Sequence, residues 1–359
     1  METETNEPLV SIITVNYNGR VHLKKLLPSL ERCNYRNLEI IVVDNASTDD
    51  SLRYVRANFP EIIVIGNSKN QLFAAANNQG LAHARGEFCC LLNNDVEVDE
   101  DFVAPIIREF LRNNNLAACQ PKILDMRRPE RFEYAGAAGG FIDALGYPFL
   151  RGRVFFNVER DTGQYDRKVG LFWASGACLF LRKRAVLDVG GFDEAFQLHM
   201  EEIDLCWRLR LRGWEIICQP ESKIWHLGGG TLAQAHPEKL YWNFRNNIFL
   251  LVKNLSPINL GLRLPPRLFL DFLAFVWELA QFRLNYALAI LKAYGWLLGH
   301  IGQIRQKRVE VQRARQVKDS VLLKRAYPGT IVLEYFVFKR HNFNTLWRIK
   351  RLKKHMEYR

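Results

Sequence analysis

The sequence predicts an α/β protein: a mainly parallel sheet with helices on both faces, followed by a C-terminal α-helical extension. Three observations carry the prediction. From Leu9 to Leu92, short apolar runs alternate with segments of helical period, the pattern of strands joined by crossover helices. The runs are apolar at successive positions, as expected of strands covered on both sides. Beyond about residue 255 the strand pattern stops, and apolar segments of helical period give way to a basic tail.

In order, Val10–Val15 reads as a strand, His22–Arg32 as a helix, Leu38–Asp44 as a strand, Ser51–Phe59 as a helix, Ile62–Ile65 as a strand, Gln71–Ala84 as a helix and Phe88–Leu92 as a strand. Ligands of such sheets bind beyond the carboxyl ends of the strands, so the residues just after each strand are the informative ones. Asn16, Tyr17, Asn18 and Gly19 make a polar turn after the first. Asp44 ends the second and is able to accept from a ribose hydroxyl or a pyrimidine N–H. An Asx-turn with an N-cap accounts for Ser47 and Asp49 but leaves Asp44 unexplained. After Leu92, Asn93 and Asp95 project into the same crevice two residues apart, where their oxygens suit a divalent cation. No glycine-rich dinucleotide or P-loop signature follows the first strand.

Met126–Gly170 reads as a long loop rich in Arg, Gly and aromatics, the kind that serves as a lid or partner-binding flap. Leu171–Leu181 reads as an apolar strand interrupted by Trp173, Ala174, Ser175, Gly176 and Ala177; the four small residues allow a close approach of ligand to backbone, or a bulge in a core strand. Glu201 and Glu202 stand where a loop enters an amphipathic helix carrying Ile203, Leu205 and Leu209. A helix start favours carboxylates, and a carboxylate at a cleft lip takes protons; the plainer alternative is a helix cap with an Asp204–Arg208 pair at i,i+4. His226 ends a further strand and precedes three glycines, which suit a segment folded over a diphosphate. Leu240–Asn254 reads as a helix carrying Arg245 and Asn246, and Ser256–Pro266 as a proline-punctuated linker. Arg267–His300 is apolar at helical period except for a stripe at sevens, Asp271, Glu278, Asn285 and Lys292.

Charge and cysteine narrow the function classes. The chain of 359 residues carries a formal net charge of +12, unevenly placed. Residues 1–240 hold 28 Lys and Arg against 32 Asp and Glu, whereas residues 301–359 hold 16 against 4. Such a localised excess suggests an anionic surface as partner. The seven cysteines lie mostly in apolar runs with no Cys-x-x-Cys pair, which predicts buried thiols in a reducing compartment rather than a disulfide frame or a zinc site. The acidic start of the chain gives no secretory signal, and no apolar run reaches bilayer-spanning length.

Val10–Gly19, Val42–Ser47, Asn70 with Ala76–Gly80, Leu92–Asp95, Gly190–Glu194 and the Glu201–Arg208 block together resemble the family 2 glycosyltransferases, and most of all the bacterial rhamnosyltransferase-like enzymes. The likeness covers residues 9–253. It implies a GT-A (Rossmann-like) fold and inverting transfer from a nucleotide-diphosphate sugar, dTDP-rhamnose or a UDP-sugar. The implied catalytic pair is Glu202, the base, with Glu201; this chain has Glu where the family usually has Asp. The metal, Mn or Mg, is implied on Asp95 and His226, with Asn93 replacing the family's first Asp. Candidate contacts to substrate are Asn16, Asp44, Asn45, Asn70, Asn78 and Arg85 on the donor side. Asn93, Asn94, Trp173, Ser175, Gly176 and Arg245 complete the set.

The expected organisation is a catalytic domain over residues 1–255, its nucleotide-sugar half at 9–125 and its acceptor and base half at 126–255, with a basic helical extension at 256–359. The expected acceptor is a glycan or polyprenyl-linked hydroxyl in cell-envelope polysaccharide synthesis, the expected location the cytoplasmic face of the inner membrane. There the apolar helix and the Arg305–Arg325 segment would meet an anionic surface; no nucleic-acid partner is expected. Two other readings are a sugar-nucleotide nucleotidyltransferase, disfavoured by the missing triphosphate loop, and a non-catalytic membrane-surface or nucleic-acid-binding protein. The basic tail lacks the aromatic interleaving of a single-strand binder.

Overall fold

A computed structural model describes residues 7–228 and 236–346. In the first half, β1 (Val10–Asn16), α1 (Arg20–Glu31), β2 (Leu38–Asp44), α2 (Ser51–Asn58), β3 (Ile63–Gly66), α3 (Leu72–His83) and β4 (Phe88–Leu92) follow the predicted alternation closely. Next come β5 (Val96–Val98), α4 (Ala104–Arg112), β6 (Leu116–Asp125) and β7 (Arg128–Phe132). Strands β3, β2, β1 and β4 pair in parallel. Successive residues of each strand face opposite layers: Ile12, Val42 and Cys90 pack toward α1 and α4, while Ile13, Val43 and Leu91 pack toward α3. Burial on both sides is the physical reason the strands read as unbroken apolar runs.

The sheet continues through β12 (Val169–Gly170), β13 (Cys178–Arg182) and β14 (Glu215–His226), in the order β12-β14-β6-β13-β4-β1-β2-β3. Strand β13 runs antiparallel to both β4 and β6, so its first residue meets the end of β4, with Cys178 opposite Leu92. The carboxyl ends of β1, β2, β4 and β14 and the amino end of β13 therefore share one rim.

Met126–Gly170 is not a loop. It folds into β8 (Gly140–Ile142), β9 (Pro148–Leu150), β10 (Arg153–Val154) and β11 (Asn157–Val158), a separate antiparallel sheet. Strands this short carry too little period to be read from sequence. They are held from far along the chain: the amides of Tyr327 and Ile331 donate to Ile142 and Asp143, and the Phe343 ring packs on Phe141 and Phe149. The predicted strand Leu171–Leu181 is likewise only β13 at its end, preceded by a buried irregular segment.

After α5 (Lys183–Asp188), α6 (Glu201–Leu211) is buried around its circumference, with only Glu202 partly exposed. It is not the amphipathic surface helix expected, because α7 (Pro237–Asn254) covers its outer side. Asp204, fully buried, accepts from Arg208 (2.6 Å), Lys253 (2.8 Å) and Asn254 (3.0 Å).

The predicted linker Ser256–Pro266 is helical. It opens α8 (Pro257–Ala280), which accommodates Pro265 and Pro266, followed by α9 (Leu284–Gly299) and α10 (Ile301–Ala314). Pro257 at the first turn fits a helix start, and past the two prolines Arg267 and Asp271 pair at 2.9 Å while Tyr147 and Tyr294 donate to Asp271. Arg267–His300 is two helices rather than one, turned at Phe282 (φ 56°). Short helices α11 (Asp319–Leu322), α12 (Ile331–Phe336) and α13 (Phe343–Leu346) complete the described chain. The expected basic tail Arg348–Lys354 lies outside the described residues, as do the last two of the three glycines after His226. All seven cysteines are buried and free.

Candidate active site

The rim is built by turns that follow the strands, and its floor is a polar network. Asn16 is fully buried; its amide donates to Asp44 (3.0 Å), Ser47 and Ser51, and its oxygen accepts from Asn94 (3.0 Å). Gly19 is required beside it, since a Cβ there would stand 2.2 Å from the Asn94 amide nitrogen. Asp44, expected to meet a nucleoside, is 1% exposed. Both its oxygens accept from Ser47, and one also from Asn16. The carboxylate shapes the turn from within, which supplies the reason for Asp44 that the sequence alone lacks. Asn45 and Asn70 are joined at 3.1 Å, and Asn70 also accepts from the amide of Leu72.

At the end of β14, His226 Nε2 lies 3.1 Å from Asp95 Oδ1 and 3.3 Å from the side-chain amide of Asn93. Burial works against charge on His226, but the carboxylates of Asp95 and Glu133 outweigh it and push the imidazole up to about 10. Burial likewise opposes ionisation of Asp95, and the hydrogen bond and charge of His226 overcome it, holding that carboxyl below its usual range. One carboxylate oxygen and one imidazole nitrogen at this separation are the mixed donor pair that borderline divalent cations accept. No group of three His, Cys, Asp or Glu side chains suited to a metal occurs among the described residues. A cation here would complete its shell with substrate phosphate and water, as Mg-like ions commonly do.

Glu202 reaches the same rim through β13. The amide of Asn93 donates to the carbonyl of Ala177 (3.0 Å), and a Cβ on the neighbouring Gly176 would lie 3.8 Å from Glu202 Cβ. Burial disfavours the ionised form of the Glu202 carboxyl more than the main-chain amides of Glu202 and Ile203 favour it, and pushes it up to about 7. Glu201 is buried beside it, with Oε2 unpartnered and its pKa raised by desolvation and by Glu202. The turn before them is strained: Gln197, His199 and Met200 all have positive φ. Such conformations persist only where surroundings over-determine them and cluster at working sites. Here the constraint comes from Asn246, whose amide donates to the carbonyls of Phe196, Leu198 and His199 at 2.7–2.9 Å.

Three expected substrate contacts lie elsewhere. Arg85 pairs with Glu39 at 2.8 Å, next to Ser11, at the opposite rim; it precedes β4 instead of following it. Asn78 staples α3 to Gly191 and Phe192, donating to the Phe192 carbonyl and accepting from its amide. Arg245 is fully buried, stacked 3.6 Å from the Trp296 ring centroid, and bonded to the carbonyls of Ala195 and Phe196. It braces the turn before Glu201 and Glu202 from behind and is not free to meet a diphosphate. Trp173 is also a core residue, its indole donating to the Phe141 carbonyl. Ser175 is buried and serves the turn, its amide donating to Gln120 and its hydroxyl accepting from Ala177. Glu133, unassigned by spacing, is the group sequence reasoning missed, whereas Asn246, expected with Arg245 to close over a diphosphate or to cap the sheet, holds the turn before Glu201 instead. A cavity of about 760 Å³ lies behind α6 between Asn78, Arg208 and Lys307, where Arg208 is paired with Asp204 and Lys307 with Asp193.

Residues 11–188 match the sequence model of Glycosyl transferase family 2. The N-acetylglucosaminyl-diphospho-decaprenol L-rhamnosyltransferase of Mycobacterium tuberculosis is 26% identical over 236 residues, covering 61% of this chain and 76% of that protein. Among solved structures, GalNAc-T7 with UDP, GalNAc and Mn2+ superposes with a TM-score of 0.54 at 16% identity, over 69% of this chain and 48% of that one. The mannosyltransferase PcManGT of Pyrobaculum calidifontis, in complex with GDP-Man and Mn2+, gives 0.51 at 17% identity over 86% of both chains. At these identities the structural likeness is one of fold.

Proposed function

Because the chain belongs to glycosyl transferase family 2, we propose that it moves a sugar, with inversion, from a nucleotide-diphosphate donor to a hydroxyl of a glycan or polyprenyl-linked acceptor in envelope polysaccharide synthesis. The observation that carries the reading is the meeting, at one rim, of a carboxylate–imidazole pair with a carboxyl poised near neutrality. Glu202 takes the proton of the acceptor hydroxyl as that oxygen bonds to the anomeric carbon and the nucleoside diphosphate departs. Asp95 and His226 would hold the divalent cation, Mn or Mg, which supplies positive charge for the departing diphosphate when bound. The similarity to the rhamnosyltransferase supports dTDP-rhamnose as first donor to try and a lipid-linked acceptor; UDP-sugars come next. Donor chemistry falls to residues 9–125, the base to 126–255, and surface attachment to 256–359.

The test is a screen of nucleotide sugars by calorimetry, with and without Mn2+, on the wild-type protein and Asp95→Ala. A donor whose affinity rises with Mn2+ in the wild type only is the expected result. Equal Mn2+ dependence in the variant removes Asp95 from the site.

The same reading includes attachment to an anionic membrane surface. Asp271 of α8 is buried, at 1% exposure, whereas Phe269, Phe272 and Trp277 of the same helix stand outward, about 60% exposed. Leu262, Leu288 and Leu298 extend this face, and Arg283, Lys292 and Arg305 stand exposed on the same helices and the one that follows. Contiguous apolar area on this scale marks an interaction surface, and aromatic side chains with nearby cations suit the headgroup boundary. No helix among the described residues is long and apolar enough to cross a membrane. Part of the Arg305–Arg325 segment is engaged internally: Arg308 and Arg315 donate to main-chain carbonyls around Asn254. Phe272→Glu with Trp277→Glu is expected to lower sedimentation with phosphatidylglycerol vesicles at least tenfold; wild-type protein that stays in the supernatant sinks the attachment.

A further inference from the structure

Glu133 lies one residue past β7, in a stretch with no helical or strand period. The fold brings it behind His226, on the side away from Asp95. Its two oxygens have different work. Oε2 accepts from the main-chain amides of Ala135 (2.6 Å) and Gly136 (2.8 Å). Oε1 lies 3.5 Å from His226 Nδ1 as an ion-pair contact, and that nitrogen is buried with no hydrogen-bond partner among the described residues. The side chains of both are buried, at 5% and 7% exposure. The space is reserved by Gly228, φ 62°, where a Cβ would stand 2.8 Å from Glu133 Oε1. One of the glycines after His226 thus makes room for a carboxylate rather than for a phosphate.

We propose that Glu133 is the positioning residue of the cation site, keeping a proton on His226 Nδ1 when a cation displaces the one on Nε2, so that Nε2 is the nitrogen that binds beside Asp95. The inference rests on Asp95 and His226 holding the cation. An imidazole ligates through one nitrogen, and the tautomer is set by what the other nitrogen meets. A buried carboxylate with one oxygen pinned by two amides offers the other as a fixed acceptor for Nδ1–H. Partners of this kind fix ring orientation, and losing them weakens metal binding by ~10–100-fold.

Glu133→Gln separates this role from a merely structural one. The Gln oxygen is required by the amides of Ala135 and Gly136, since its NH2 group against them would place donor on donor. The NH2 group therefore faces Nδ1, which must accept, and the proton moves to Nε2, the nitrogen facing Asp95. The loop keeps its hydrogen bonds while the imidazole carries the wrong tautomer. Full-length wild type and Glu133→Gln are titrated with Mn2+ alone by electron paramagnetic resonance, with thermal unfolding recorded alongside. The expected result is a Kd for Mn2+ raised ~10–100-fold at an unfolding midpoint close to wild type. An unchanged Kd overturns the proposal. Should the variant not fold, 15N–1H spectra of the Zn2+-loaded wild type decide: His226 protonated at Nδ1 supports the assignment, and metal on Nδ1 overturns it. A wild type that binds no Mn2+ overturns the cation reading itself along with this inference; wild-type binding equalled by the variant overturns this inference alone.

Discussion

Glu202→Gln is expected to lower turnover by ~10²–10⁴-fold while leaving the affinity for the nucleotide-sugar donor within about twofold of wild type. The side chain keeps its shape and loses only the capacity to take a proton. Two features place the loss on chemistry: Glu202 is the one partly exposed position of α6, and burial raises its pKa to about 7. Since the ionised form is the active one, wild-type kcat should rise as pH rises through about 7 and level off above it. Glu201 next to it is raised as well, so the two carboxyls titrate as a pair, and the profile reports the pair. A second sign follows from linkage. Where the folded pKa exceeds the unfolded one, the contribution to stability is complete below the unfolded value and is lost as pH rises through the folded value. Above pH 7 the Gln variant, which never ionises, should therefore melt at a higher temperature than wild type. Wild-type turnover in Glu202→Gln takes the residue out of the mechanism.

Asp204→Ala is expected to cost ~3–5 kcal/mol of stability, the usual loss when one partner of a buried ion pair is removed. Asp204 is fully buried and answers Arg208, Lys253 and Asn254 together. Lys253 in turn contacts Asp193 at 2.6 Å, which also receives Lys307 from α10 at 2.7 Å. Removing Asp204 leaves Arg208 without its carboxylate and Lys253 with Asp193 as its remaining one, against the back of the helix that carries Glu202. At ~2–4 °C per kcal/mol for chains of this order, the unfolding midpoint should fall by roughly 10 °C in circular dichroism. A midpoint within about 2 °C of wild type means the network contributes little, and Asp204 is then replaceable. The i,i+4 pairing of Asp204 with Arg208, expected from spacing as the plain alternative to a catalytic reading of this helix, exists alongside the carboxyl at its first turn. Structural and chemical duties are divided by face.

The donor-side half was legible because its signals are local. Strand runs, Asx turns and the placing of polar residues after strands are properties of neighbours in the chain, and Asn16, Asp44, Asn93 and Asp95 were placed at strand ends that way. Arg85 shows the limit of the same rule: a charged residue near a strand is informative only on the correct end, and Arg85 sits before β4. Arg245 was misplaced for a different reason. A cation in a helix near the site suggests phosphate, and only the carbonyls of Ala195 and Phe196 with the ring of Trp296 reveal where its charge is spent.

The sequence by itself determined the α/β class, the strand-end residues that line the rim, the buried free thiols and the family likeness, because each depends on short-range pattern or on motif order. Tertiary structure alone decided that α6 is buried all round, that α8 and α9 face their apolar side outward, and that Glu133 stands behind His226. Those facts depend on pairs such as Glu133 with His226 and Asp204 with Lys253, brought together by sheet order and helix packing. No periodicity along the chain encodes a contact between residues so far apart, since period describes which way a side chain points and not what it meets there.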